Sequence, residues 1–255
     1  MLTAEPGSHN ATAPIIKRTL PVALLPSRLI LFALFQLLVA VIVQMASGVF
    51  SYQAAGIYWP YTATAANVAT FMILVAAFKR EGLSVTSLYR FGKGTAGTDI
   101  VTALIVLVVA APLSVLPNGI LASVLFGDPS VPNQWLFGRM PVALTYLAVL
   151  MPLTIAFAEL PLYMGYIMPR LSLRSGNRAA AILTITFFLA LQHCALPLIF
   201  DVRFILLRFA AFLPLALLFT LVLNWRPRLM PYMMIVHAIM DFGAVGMIIY
   251  MSTQQ

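Results

Sequence analysis

The residues of this chain best equipped for chemistry sit in stretches with almost no other polar character. Glu159 stands in "AELPLYMGYIMPRL", residues 158–171, inside an apolar run from about 141 to 168; His193 follows in "ALQHCALP", and His237 and Asp241 in "HAIMD". His237 and Asp241 are four apart, so on a helix they share a face and can touch. The same spacing puts the Tyr163 phenol beside Glu159 as a candidate hydrogen-bond donor. A carboxylate and two imidazoles brought together would supply a general base, an acid and donors able to activate a water. Other chemistries fall away. The chain has no H-E-x-x-H, no G-x-S-x-G elbow and no glycine-rich phosphate loop. His193 and Cys194 are neighbours that diverge by about 100° on a helix, so they make no thiol–imidazole couple. Glu159, His193 and His237 are also ligand types for zinc, which is the minority reading beside a cofactor-free site. Buried Glu, His and Asp serve proton relays in transporters as well; the inverted repeats and paired broken helices of that class are not evident.

The elements that must carry these residues are membrane helices. Of 255 residues 62% are hydrophobic and 9% charged, with mean hydropathy +0.99, whereas a soluble domain is about half apolar and a quarter charged. A hydrocarbon layer of ~30 Å takes ~20 apolar residues per helix. Runs of that kind lie at 29–50, 61–78, 100–124, 141–168, 179–200, 204–224 and 230–250. The expected fold is therefore all-α, a polytopic transmembrane helix bundle of about seven spans (six to eight). It forms one domain, 29–250, after an N-terminal segment 1–28, with the chemistry confined to about 141–250. Ionisable residues inside spans are functional candidates by default; these are Glu159, His193, Arg208, His237 and Asp241. Asp99 falls at a span end and reads as a solvated helix cap. Pro161, two residues after Glu159, marks a place for a local break in the helix.

The net charge of +8 and pI near 10 do not point to nucleic acid, because no basic patch is interleaved with aromatics. The charges follow the positive-inside rule instead. Lys17, Arg18 and Arg28 precede the first span; Lys79, Arg80, Arg90 and Lys93 follow the second; Arg170, Arg174 and Arg178 follow the fourth; Arg226 and Arg228 follow the sixth. Only Arg139, Arg203 and Arg208 fall elsewhere. The expected N-terminus is cytoplasmic, and seven spans put the C-terminus outside. The single cysteine, Cys194, cannot close an internal disulfide.

The order and spacing of these residues resemble the CPBP family, the CAAX-protease and bacteriocin-processing intramembrane proteases, whose motifs are E-E-x-x-x-R, F-x-x-x-H and H-x-x-x-N/D on successive helices. The resemblance covers about 150–245, with "KREGLSVTSLYRFG" similar to the family's loop after its second helix. Laid on the first motif, Glu159 takes the first glutamate, Leu160 the second, Met164 the arginine and Gly165 the glycine that usually follows. Pro169 falls where the family often has a proline. His193 takes the second-motif histidine, with Leu189 at the phenylalanine position after Phe187 and Phe188. His237 and Asp241 fit the third motif in its aspartate form. Leu160 and Met164 are a matched departure: replacing both members of a buried ion pair by packed apolar groups is often neutral, whereas removing one costs ~3–5 kcal/mol.

The resemblance implies an intramembrane endopeptidase of a bacterial inner (plasma) membrane, acting within the lipid bilayer on a membrane-associated protein or peptide. Glu159 and His193 would activate the water, and His237 with Asp241 would stabilise the oxyanion. An ionised Asp241 would repel an oxyanion, so either it is protonated or it holds His237 as a donor, as a carboxylate does in a hydrolase triad; the i, i+4 spacing favours the second. The alternative is a catalytically silent relative that acts as a membrane scaffold or regulator.

Overall fold

The structure is a computed structural model, and the residues it describes are 21–254. Lys17, Arg18 and the rest of the expected N-terminal segment up to residue 20 lie outside the described residues. Among the described residues there is no β-strand. The helices are α1 (Ser27–Ser47), α2 (Trp59–Arg80), α3 (Ala96–Phe126), α4 (Ser130–Leu136), α5 (Val142–Thr145) and α6 (Leu150–Ile155). A π-helix (Pro161–Ile167) then runs into α7 (Met168–Ser175), followed by α8 (Arg178–Leu191), α9 (Val202–Trp225) and α10 (Met230–Thr253).

Among the described residues five segments are long and apolar enough to cross a bilayer: Val22–Ser47, Ala54–Arg80, Ala96–Phe126, Val202–Trp225 and Pro227–Thr253. Two further apolar helices, Val142–Ile155 and Arg178–Cys194, fall short of the ~20 residues a crossing takes. The chain is thus an all-helical integral membrane protein. The stretch 141–168 is not one rod. The helix tightens where Phe157 N–H bonds Thr154 and Ala158 N–H bonds Ile155, three residues back, then widens into the π-turns after Pro161. The stretch 179–200 also stops early. Pro197 has no N–H and disfavours helix at Leu196, so 195–201 is a loop, and the Asp201 carboxylate accepts from the Arg203 and Phe204 amides to start α9. The linker 125–140 is not plain loop either, since it holds α4.

Exposure sorts the helices by what they face. The apolar windows of α1 and α3 are 17% buried, against 39% for α2, α9 and α10. Leu34, Leu38 and Ile42 of α1 and Val108, Val115 and Ile120 of α3 therefore project outward. In lipid such exposure is unpenalised, because acyl chains are as apolar as leucine. The π-helix, α8, α9 and α10 enclose the main core, where Leu162, Tyr163, Ile185, Leu189, Phe219 and Met233 are buried. Packing pairs α9 with α8 and α3, α2 with α1 and α6, and α10 with α6 and α3.

Two of the expected loop charges prove to be structural pairs. Arg170 is buried; its Nε donates to both Glu81 oxygens at 3.0 and 3.2 Å, its Nη2 also donates to Glu81, and Tyr166 donates to Glu81 Oε1 at 2.8 Å. This staples the end of α2 to α7. Asp99 is not a solvated cap: it is 0% exposed, accepts from the Thr95 hydroxyl at 2.6 Å and pairs with Arg228 at 3.1 Å. An aspartate in the first turn that finds a cation on the next hairpin has no need of water.

The break before the π-helix has a specific keeper. Pro161 offers no N–H to the carbonyl of Phe157, four residues earlier, and the Tyr89 hydroxyl donates to that carbonyl at 3.2 Å. Burial pushes the Tyr89 phenol up to about 12, so it remains a donor at any working pH. Tyr89→Phe is expected to destabilise the protein by about 1 kcal/mol, the ordinary net value of one hydrogen bond. Reversible unfolding in mixed micelles measures it, and an unchanged midpoint would show that the carbonyl finds another donor.

Candidate functional site

Glu159 lies where the tightened turn meets the π-helix, and it is 3% exposed. Its Oε1 is 3.4 Å from His237 Nε2, and the same nitrogen is 3.4 Å from Asp241 Oδ2. The i, i+4 contact expected of "HAIMD" is therefore present on α10. Nε2 is thus the ring nitrogen that faces both acids, in contact with Asp241 Oδ2 without a hydrogen bond to it. Among the described residues His237 Nδ1 and Asp241 Oδ2 are buried with no hydrogen-bond partner.

The other oxygen of Glu159 faces a residue assigned from sequence to the solvated charges before the first span. Arg28 is the second residue of α1 and is 0% exposed. Its Nη2 lies 3.3 Å from Glu159 Oε2 and donates to Asn67 Oδ1 at 3.0 Å; Nη1 donates to Thr70 at 3.3 Å and Nε to Gln192 Oε1 at 2.6 Å. Four partners on three other segments fix the guanidinium. Its rigid fork of donors suits such a site, where a flexible ammonium would not. Arg28 and Arg170 are thus buried and paired inside the protein, where solvated charges flanking the spans were expected.

His193 sits in the 3-10 turn Gln192–Cys194 that closes α8. Its Nδ1 lies 2.8 Å from the Leu189 carbonyl. A carbonyl only accepts, so Nδ1 bears the hydrogen and a neutral ring presents Nε2 as a base. The ring stacks on Phe212 at 3.7 Å and 14°, and it lies within electrostatic range of Glu159 and His237. Arg208 is not part of the cluster of acids. It braces the turn that carries His193, donating to the carbonyls of His193 at 3.3 Å and Leu196 at 2.9 Å.

Two expectations change here. Tyr163 does not donate to Glu159; its hydroxyl donates to the Leu25 carbonyl at 3.1 Å, because the π-turns rotate it towards the start of α1. Leu160 and Met164 carry no polar contact and are packed in the apolar core, while the cation beside Glu159 comes from α1. The sequence did carry signals for the missed residues. Arg28 directly precedes an apolar run, Gln192 adjoins His193, and Asn67 and Thr70 are three apart in an apolar stretch, on one helix face.

The assembly is a buried carboxylate held between a guanidinium and an imidazole, with a second imidazole and a second carboxylate beside it. Such a group can polarise a polar ligand and exchange a proton with it. No group of three or more His, Cys, Asp and Glu among the described residues is arranged to hold a metal ion. No family model, curated protein or solved structure matches the chain.

Proposed function

We propose that this chain is a multi-pass intramembrane endopeptidase of the CPBP kind, hydrolysing a peptide bond in a membrane-associated protein or peptide. What supports the reading is one observation: the Glu159 carboxylate, 3% exposed, stands between Arg28 and His237 with His193 in range. A water between Glu159 and His193 Nε2 would give up a proton to His193 Nε2 as its oxygen attacks the scissile carbonyl, with Glu159 orienting it. His237, its Nε2 turned to the two acids, would donate from Nδ1 to the oxyanion. The proton taken from water would then pass to the leaving nitrogen as the C–N bond breaks. Asp241 acts on this view through His237. In the full reading the chain makes about seven passes with its N-terminus in the cytoplasm of a bacterial cell. The meeting of Arg90 after the turn Val85–Tyr89, Arg178 at the start of α8 and Arg228 between α9 and α10 around one groove is in keeping with that sidedness.

A second reading has its own support. A carboxylate with Arg28 on one oxygen and His237 on the other resembles an internal counter-ion, as a catalytically silent scaffold would keep. The two readings separate in one experiment. Membranes from cells expressing wild type and Glu159→Gln are compared for new protein termini; the peptidase reading expects at least one terminus that disappears in the variant. No changed terminus, with the variant folded and present at equal level, supports the scaffold.

A further inference from the structure

A second site lies away from Glu159. Between the π-helix with α7, the turn Val85–Tyr89 and the α9–α10 hairpin is a groove of about 680 Å³. Its walls include Met164, Met168, Leu223 and Met230, and its polar rim holds Arg90, Arg178 and Arg228. No carboxylate lines it.

The three guanidinium groups keep donors to spare. Arg178 spends Nε and Nη2 on Asn224, at 2.6 and 2.5 Å. Arg228 spends Nε on Asp99, which does not line the groove. Arg90 is exposed. Nearby, the Trp225 ring is 62% exposed with the Arg226 guanidinium 4.0 Å over it, the amphipathic pairing found at headgroup depth. An occupant must therefore offer an anion to the arginines and an apolar body to the methionines, at the edge of the bilayer.

We propose that this groove binds the headgroup of an anionic glycerophospholipid, its phosphate on the arginines and its glycerol and first acyl carbons on the methionine-rich wall. Guanidinium groups take phosphate oxygens in pairs. A zwitterionic lipid brings a cation of its own into a ring of three arginines, which penalises it. The proposal is independent of whether Glu159 is catalytic.

Native mass spectrometry of the full-length protein, released from detergent in the presence of equimolar phosphatidylglycerol and phosphatidylcholine, tests it. Each basic residue near an anionic surface is worth about fivefold in binding. Wild type is expected to retain phosphatidylglycerol over phosphatidylcholine by at least about fivefold, and Arg90→Gln to lose about fivefold of that retention. Arg139→Gln, an exposed basic residue off the groove, is expected to leave it unchanged. Unaltered melting temperatures establish that both variants are folded. Equal retention of the two lipids overturns the proposal, as does an equal loss in Arg139→Gln, which would mean diffuse charge. Displacement of the lipid by millimolar inorganic phosphate overturns it in favour of a small-anion site, and a co-purified acidic peptide held in its place overturns it in favour of a protein ligand.

Discussion

Replacing Arg28 by Met is expected to destabilise the folded protein by about 3–5 kcal/mol, because it strands the Glu159 carboxylate in an interior that cannot solvate it. Arg28 and Glu159 are 0% and 3% exposed and stand 3.3 Å apart. The variant also leaves Asn67, Thr70 and Gln192 without the donor they accept from, so part of the loss belongs to those groups, at about 1 kcal/mol or more each. The double variant Arg28→Met/Glu159→Gln removes both charges and is expected to recover the part of the loss that belongs to the stranded carboxylate, while the part that belongs to Asn67, Thr70 and Gln192 remains. Unfolding in mixed micelles, run as a double-mutant cycle, measures the coupling. A cost below about 1 kcal/mol for Arg28→Met, or a double variant no more stable than the single, would mean that the two charges do not support each other.

The second large effect is on rate. His193→Phe keeps the ring that stacks on Phe212 and removes both nitrogens. The sole hydrogen bond that ring makes among the described residues goes to the carbonyl of Leu189, on its own helix, so stability is expected to stay within about 1 kcal/mol. If His193 Nε2 takes the proton of the attacking water, cleavage of a substrate identified from the changed termini falls by about 10²–10⁴-fold, the usual worth of a positioned base. Cleavage within tenfold of wild type removes His193 from the mechanism. A loss of rate matched by a loss of stability would assign it a packing role instead.

Both predictions rest on one rule that the sequence already displays. An ionisable side chain in an apolar run must find a partner inside the protein. That rule marked Glu159, His193, His237 and Asp241, and the spacing of four placed His237 against Asp241. Composition alone sufficed for an all-helical membrane protein, since 62% hydrophobic residues in long runs leave no other way to satisfy the backbone in lipid.

Partner choice was decided elsewhere. Arg28 looked like a solvated charge before a span because local sequence cannot tell a helix end facing water from one pressed against three other segments. The same ambiguity hid the Arg170–Glu81 staple and the burial of Asp99. Tyr163 was misdirected for a different reason. An i, i+4 pair meets on an α-helix, and the π-turns after Pro161 widen the helix at that very point. Hydrophobic patterning, the spacing of neighbours along a helix and the cost of charge in lipid are local quantities, legible in a linear chain. Which of several cations reaches Glu159 depends on how α1, α2 and the 158–167 segment pack around one another. That packing is set by contacts between residues such as Arg28 and Glu159, 131 positions apart, and no pattern along the chain encodes a pairing at that range.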